Sequence, residues 1–130
     1  AHTRVTGRGR LRGVDVDMHH ISDTVMTLAA IAPLAEGPTT IRNVANIRIK
    51  ETDRLAATVT ELRRLGQEVT HGDDWLRIEP RLLVPATVAC YRDHRMAMSF
   101  AVLGAVTGAV GIQDPACVGK TYPGVWDDLA

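Results

Sequence analysis

Two stretches of this chain carry no charged side chain: Thr24–Ala35 and Met96–Thr107. Both are rich in Ala, Val, Leu and Met, and both have the length of a helix. A helix that is apolar all round has no side for water and must be covered on every face. In a chain of 130 residues, such helices belong at the centre, beneath sheets whose outer faces meet solvent. Met98 is then expected in the core, where an unpaired charge would be severely costly.

The two stretches also belong to an internal repeat. Asp23-Thr-Val-Met-Thr-Leu-Ala-Ala30 parallels Arg95-Met-Ala-Met-Ser-Phe-Ala-Val102. After each come a glycine-containing break and a β-prone segment, Thr40-Ile-Arg-Asn43 and Gly111-Ile-Gln-Asp114. A lysine follows each within ten residues, Lys50 and Lys120. Matching elements in matching order predict a duplicated β-α-β-α unit, with equivalent helix starts facing one edge.

Local signals fill in the elements. Val14–Met18 alternates apolar and acidic residues and reads as a strand. Ser22 or Asp23 is expected to cap the first helix, which runs to about Ala35 and stops at Gly37-Pro38. Thr39–Val44 is β-prone. Thr52 or Asp53 starts a second helix, with Leu55, Val59, Leu62 and Leu65 at helical spacing and Gly66 as its stop. Glu68–His71 and Trp75–Glu79 bracket Gly72-Asp73-Asp74 as a hairpin. Pro80–Pro85 is a link and Thr87–Tyr91 a strand. Asp93 opens a third helix reaching about Val106. Val110–Gln113 is a strand, and Tyr122–Leu129 a short last helix.

Charge falls in the wrong place at two helix starts. Lys50 and Arg54 flank the start of the second helix, and His94 and Arg95 fill the first turn of the third. A helix N-terminus carries about half a positive charge and favours acidic neighbours. Cations there, beside free backbone N–H groups, mark halves of one anion-binding cleft. The plain alternatives are an exposed Glu51–Arg54 pair worth a few tenths of a kcal/mol, an ordinary surface histidine at His94, and Asp23 as nothing more than a cap.

Composition removes several classes. Fifteen basic residues balance fifteen acidic ones, and aromatics amount to one Phe, two Tyr and two Trp. Neither a global positive field nor a stacking surface for nucleic acid is expected. Apolar runs are short and broken by Gly and Pro, so no membrane span is expected. Cys90 and Cys117 show no CxxC spacing and suit reduced thiols in a cytoplasmic protein. Asp15, Asp17, His19 and His20 resemble a ligand cluster, but adjacent histidines on a strand point to opposite faces, so no metal is expected. The arginines of Gly7–Arg12 match no phosphate-loop pattern. A chain beginning at Ala1 fits a partial sequence.

At these residues the chain resembles the enolpyruvyl transferases, specifically the member acting on shikimate 3-phosphate. The matching segments are Asp15-Val-Asp-Met18 with Asp23, Arg42-Asn43, Asn46 with Arg48-Ile-Lys-Glu-Thr-Asp-Arg-Leu55, Thr60-Glu-Leu-Arg63 with Leu65-Gly66, Asp93-His-Arg-Met-Ala-Met98, and Asp114-Pro-Ala-Cys117 with Lys120-Thr-Tyr-Pro123. They occur in order over most of the chain. Ser22, Ile47, Arg92 and Val118-Gly119 depart from the family pattern, and Arg92 adds a cation where a small polar residue is common.

The resemblance implies an α/β (α+β) fold of repeated βαβαββ units with buried helices and outward-facing sheets. Residues 1–130 would form the C-terminal part, about two of three units, of the second domain. The N-terminal domain would lie outside this chain, and a monomer is expected. The implied reaction joins the enolpyruvyl group of phosphoenolpyruvate to the 5-hydroxyl of shikimate 3-phosphate and releases phosphate. Asp23, Glu51 and His94 are the implied catalytic residues. Asn46 and Lys50 would contact the shikimate side, while Arg54, Arg95 and Lys120 would hold phosphoenolpyruvate. No cofactor is implied, because phosphoenolpyruvate carries its own leaving group. The competing readings are the related transferase acting on UDP-N-acetylglucosamine and a non-catalytic binding domain of the same fold.

Overall fold

The computed structural model describes residues 1–130. The chain runs through strand β1 (Asp15–Asp17), helix α1 (Val25–Ile31), β2 (Thr39–Arg42), α2 (Arg54–Arg64), the hairpin β3 (Glu68–His71) and β4 (Leu76–Glu79), β5 (Ala86–Val88), α3 (His94–Thr107), β6 (Val110–Ile112) and α4 (Val125–Leu129). Four 3-10 segments join them: His19–Thr24, Ala32–Leu34, Ala45–Ile49 and Pro115–Val118.

The repeat is visible in the strand pairing. β1 and β2 are parallel, with Val16 beside Ile41, and α1 lies between them in sequence. β5 and β6 are likewise parallel, with Thr87 beside Gly111, and α3 lies between them. The first pair is extended by antiparallel β4 and β3 into a four-stranded sheet of order β1-β2-β4-β3. The second remains two-stranded.

Alternation along the strands sets the inside and the outside. Ile41, Leu76 and Ile78 are buried while their neighbours Arg42 and Arg77 are exposed, so the sheet turns a polar face outward. Beneath it, Val25, Met26, Ala29 and Ala30 of α1 join Met96, Phe100 and Leu103 of α3 in one apolar cluster. Leu55, Val59, Leu62 and Leu65 of α2 complete that cluster. Gly66, at φ +83°, ends α2: its N–H bonds to the Arg63 carbonyl at 3.0 Å, and Gln67 N–H reaches the Leu62 carbonyl at 3.0 Å. A side chain at Gly104 would bring its Cβ to 3.1 Å from the Val110 Cβ, so glycine permits the close contact of α3 with β6. No helix is long and apolar enough to cross a membrane.

Three expectations are corrected. α1 begins at Val25, after a 3-10 segment, and neither Ser22 nor Asp23 caps it. Its regular part ends at Ile31, because Pro33 has no N–H to continue the ladder. The second correction concerns burial. Val102 and Val106 of α3 are 40% and 69% exposed, and Met98 is only part-buried. Met98, Val102 and Val106 recur every four residues and form one stripe of α3, apart from Gly104, where the helix packs on β6, so cover on every side fails there. Third, His19 and His20 lie in the 3-10 segment beyond β1, so strand alternation does not separate their rings, which meet edge-on at 5.2 Å.

Candidate functional site

The starts of α2 and α3 meet. Asp53 caps α2 by accepting the Ala56 N–H at 3.0 Å, and Asp93 caps α3 by accepting the Arg95 N–H at 2.9 Å. Each cap satisfies an otherwise orphaned donor and places a carboxylate at the positive end of a helix dipole. Arg54, the first residue of α2, turns inward rather than to solvent.

Its guanidinium is the hub of the site. Nε donates to Asp93 Oδ2 at 2.7 Å, Nη1 to Asp23 Oδ1 at 3.1 Å, and Nη2 to Glu51 Oε2 at 2.5 Å and Asp93 Oδ1 at 3.4 Å. The Arg54 side chain is 1% exposed, so the reading of Glu51–Arg54 as a solvated surface pair is corrected. Five donors in a fixed planar fork let one arginine organise three carboxylates from separate segments. The other oxygen of Asp23 lies 3.5 Å from Arg95 Nη2. Arg54 and Arg95 therefore share one carboxylate.

The remaining candidates sit around this hub at different ranges. Asn46 donates to Ser22 Oγ at 2.9 Å, one residue from Asp23, and its Oδ1 is buried without a hydrogen-bond partner. Lys50 is exposed in the turn before Glu51 and forms no ion pair. His94 is part-buried between Asp93 and Arg95. Lys120 forms no hydrogen bond or ion pair with the hub. It lines an open pocket of about 370 Å³ with Arg92, Asp114 and Cys117. The link to the hub runs through Cys117, whose Sγ donates to the Asp93 carbonyl at 3.8 Å. Burial and then the neighbouring Cys90 push the Cys117 thiol up to about 11.

Three contributors escaped sequence reasoning in part or whole. Asp93 read as a cap and is also the innermost partner of Arg54. Ser22 holds the Asn46 amide. Glu61 of α2 is fully buried, and it accepts the Tyr91 hydroxyl at 2.7 Å and the Ala89 N–H at 2.9 Å. A signal for Glu61 existed: spacings of seven, three and four put it on one helix face with Arg54, Thr58 and Leu65.

Inward helices, outward sheets and carboxylate-bound arginines at adjoining helix starts define an α/β unit of the enolpyruvyl transferase class. The model of the EPSP synthase (3-phosphoshikimate 1-carboxyvinyltransferase) family matches residues 1–129, and the chain belongs to that family. It is 57% identical over 122 residues to the 3-phosphoshikimate 1-carboxyvinyltransferase of Nostoc punctiforme, covering 94% of this chain and 29% of that protein. The Serratia proteamaculans protein of the same name is 52% identical over 124 residues, covering 95% of this chain and 29% of its own length. Among solved structures, EPSP synthase from Acinetobacter baumannii superposes with a TM-score of 0.80 at 25% identity, over 93% of this chain and 30% of that one. The chain thus spans about 29% of the length of the curated relatives it matches.

Proposed function

We propose that this chain forms part of an enzyme that transfers the enolpyruvyl group of phosphoenolpyruvate to the 5-hydroxyl of shikimate 3-phosphate, releasing phosphate. The observation that carries the reading is the Asp23 carboxylate held between Arg54 and Arg95, at 3.1 and 3.5 Å. Addition needs a base for the attacking hydroxyl, an acid at C3 of the enol, and cations for a carboxylate and phosphates. One carboxylate flanked by two guanidiniums supplies the base and the cations within a single contact network.

Asp23 is assigned as the proton acceptor. Its ties to Arg54 and Arg95 aim it at one place. The buried, unpaired Oδ1 of Asn46 suits a substrate hydroxyl, whose O–H would satisfy it. Lys50 is free for an anionic or hydroxyl group on the same side. Arg95 and Lys120 are assigned to phosphoenolpyruvate, with Arg54 behind them. Arg54 binds a substrate carboxylate by exchanging it for Glu51, which is 49% exposed, and keeps Asp93, which has no route to solvent. The exchange leaves Glu51 free to serve C3, with His94 beside it. The released Glu51 must first take up a proton, which its half-exposed carboxyl draws from solvent, before it can give one to C3.

Residues 1–130 are assigned to the C-terminal part of the second domain, about two of its three units, in a monomeric cytoplasmic enzyme whose remaining contacts come from the N-terminal domain. Phosphate release by the full-length enzyme tests the reaction, with shikimate 3-phosphate and UDP-N-acetylglucosamine offered as separate acceptors. Release with the first alone is expected. Release with the second, or with neither, overturns the assignment.

A further inference from the structure

Tyr91 and Arg92, immediately before Asp93, both have φ of +56°. Left-handed backbone is unfavourable for residues with a Cβ, and two in succession persist only where the surroundings impose them. The Asp93 N–H closes the turn on the Cys90 carbonyl at 2.9 Å. What holds the turn from outside is a carboxylate with no part in the proposed chemistry.

Glu61 is 0% exposed. Its Oε1 accepts the Ala89 N–H at 2.9 Å and Arg64 Nε at 2.9 Å, and its Oε2 accepts the Tyr91 hydroxyl at 2.7 Å and Arg64 Nη2 at 3.4 Å. Two of those donors bracket Cys90, the residue at which the turn begins. Burial would raise the Glu61 carboxyl, but Arg64, Tyr91 and the Ala89 N–H outweigh it and leave Glu61 below the usual range, an anion built into the fold. The same helix also grips the far end of the turn, through Arg54 and Asp93 at 2.7 Å. Residues 54 and 61 lie about 10 Å apart along α2 at 1.5 Å per residue, so one rigid helix holds the segment at two points. Between those points the chain must pass through the left-handed pair, and that path sets where His94 and Arg95 emerge.

We propose that Glu61 and Tyr91 are positioning residues: their hydrogen bond latches the Tyr91–Arg92 turn and thereby places Arg95 and His94 for phosphoenolpyruvate. The kinetic side rests on the transferase reading given above, and the structural side does not. Neither residue touches substrate in this assignment; both act through Arg95 and His94.

Tyr91→Phe isolates the latch. It keeps the Cβ, and hence the backbone preference, and removes only the hydroxyl. In the full-length enzyme it is expected to raise the KM for phosphoenolpyruvate about three- to tenfold, the size of one lost hydrogen bond. The KM for shikimate 3-phosphate should stay within about twofold, because the contacts assigned to it are unchanged. Amide hydrogen exchange over residues 89–95 should accelerate while the centre of α2 keeps wild-type protection. Glu61→Gln, which retains an acceptor and the shape, should fall between wild type and Glu61→Leu on both readouts. Unchanged exchange across residues 89–95 in Tyr91→Phe overturns the latch, as does an equal rise in both KM values. If the full-length enzyme shows no transfer, the transferase reading falls and hydrogen exchange alone decides the latch.

Discussion

Arg54 and Asp93 form an ion pair closed to solvent, Nε to Oδ2 at 2.7 Å, with side-chain exposures of 1% and 0%. It joins the first residue of α2 to the cap of α3, and so ties the two halves of the repeat at their helix starts. Removing two charges from water is costly, and the cost is offset only where further hydrogen bonds satisfy both groups. Here Asp93 also accepts the Arg95 N–H, and Arg54 also reaches Asp23 and Glu51.

The first prediction concerns that pair. Asp93→Ala leaves a guanidinium buried without its innermost partner and α3 without its cap. Breaking one side of a buried pair costs about 3–5 kcal/mol. Urea unfolding should show a lowered midpoint with an unchanged slope. A loss below about 1 kcal/mol, the worth of an exposed pair, would mean that Arg54 escapes to water.

A second prediction separates core from rim on α3. Phe100 is fully buried in the main cluster, and its truncation to Ala should cost about 3–5 kcal/mol through lost transfer energy and a cavity. Met98 is part-buried and lines a groove of about 140 Å³ with Thr27, Arg95, Ser99 and Val102. A charge at Met98→Asp reaches the water in that groove, so this variant should still unfold cooperatively. Loss of cooperative folding in Met98→Asp would return Met98 to the core.

The contrast shows what was legible in the sequence. The uncharged runs announced buried helices, and the repeat announced two matching β-α-β-α units, because burial and duplication leave marks in composition and order. Val102 and Val106 are exposed although they lie in an uncharged run, because composition reports what a side chain tolerates, not which neighbours cover it. The first helix stops short of Ala35 because Pro33 breaks its ladder, although the apolar run continues past it. At the site, Asp93 was legible as a cap from its place before the helix. Its pairing with Arg54, 39 residues away, was not, because no local pattern encodes which distant carboxylate an arginine will meet. Glu61 stood within a family-like motif, yet its charge masked its place on the inward face.

The third prediction is a pH dependence. Burial and the bond to Glu61 push the Tyr91 hydroxyl up to about 12, and burial with Cys90 pushes the Cys117 thiol up to about 11. Both pKa values are raised in the fold, so the neutral forms are favoured there. Their contribution is complete below the unfolded values and is lost as pH climbs from about 9 to about 12. Glu61 is lowered in the fold, so its contribution is present above the usual carboxylate range and is lost as acid protonates it. The urea midpoint measured against pH should therefore fall at both ends. Tyr91→Phe and Cys117→Ala together should flatten the alkaline fall, and an unchanged alkaline limb in that double variant would refute the assignment.

Fourth, the 130-residue chain alone should show no transferase turnover. It covers 29% of the length of its relatives, and holding reactants in near-attack geometry supplies about 7–11 kcal/mol of barrier reduction. Purified chain with both substrates, followed by phosphate release, decides the matter. Turnover near that of an intact enzyme would place all the necessary positioning within these residues.

The last prediction divides the carboxylate from its arginines. Asp23 bridges Arg54 and Arg95, so removing either side disturbs the same contact, and only the nature of the defect tells base from anion holder. In the full-length enzyme, Arg95→Ala should weaken phosphoenolpyruvate binding by about 1.5–3 kcal/mol, the worth of a charged hydrogen bond, or roughly ten- to a hundredfold. Asp23→Asn keeps the shape and one acceptor oxygen but cannot take a proton, so kcat should fall while binding of both substrates stays nearly intact. If Asp23 served only to neutralise and orient the arginines, Asp23→Asn would instead change affinity for the anion and leave turnover of bound substrate alone. Steady-state kinetics with each substrate varied, paired with equilibrium binding of phosphoenolpyruvate, separates the two. A kcat for Asp23→Asn within about threefold of wild type would move the base elsewhere, and Glu51, released from Arg54 by the incoming carboxylate, would be the group to test next.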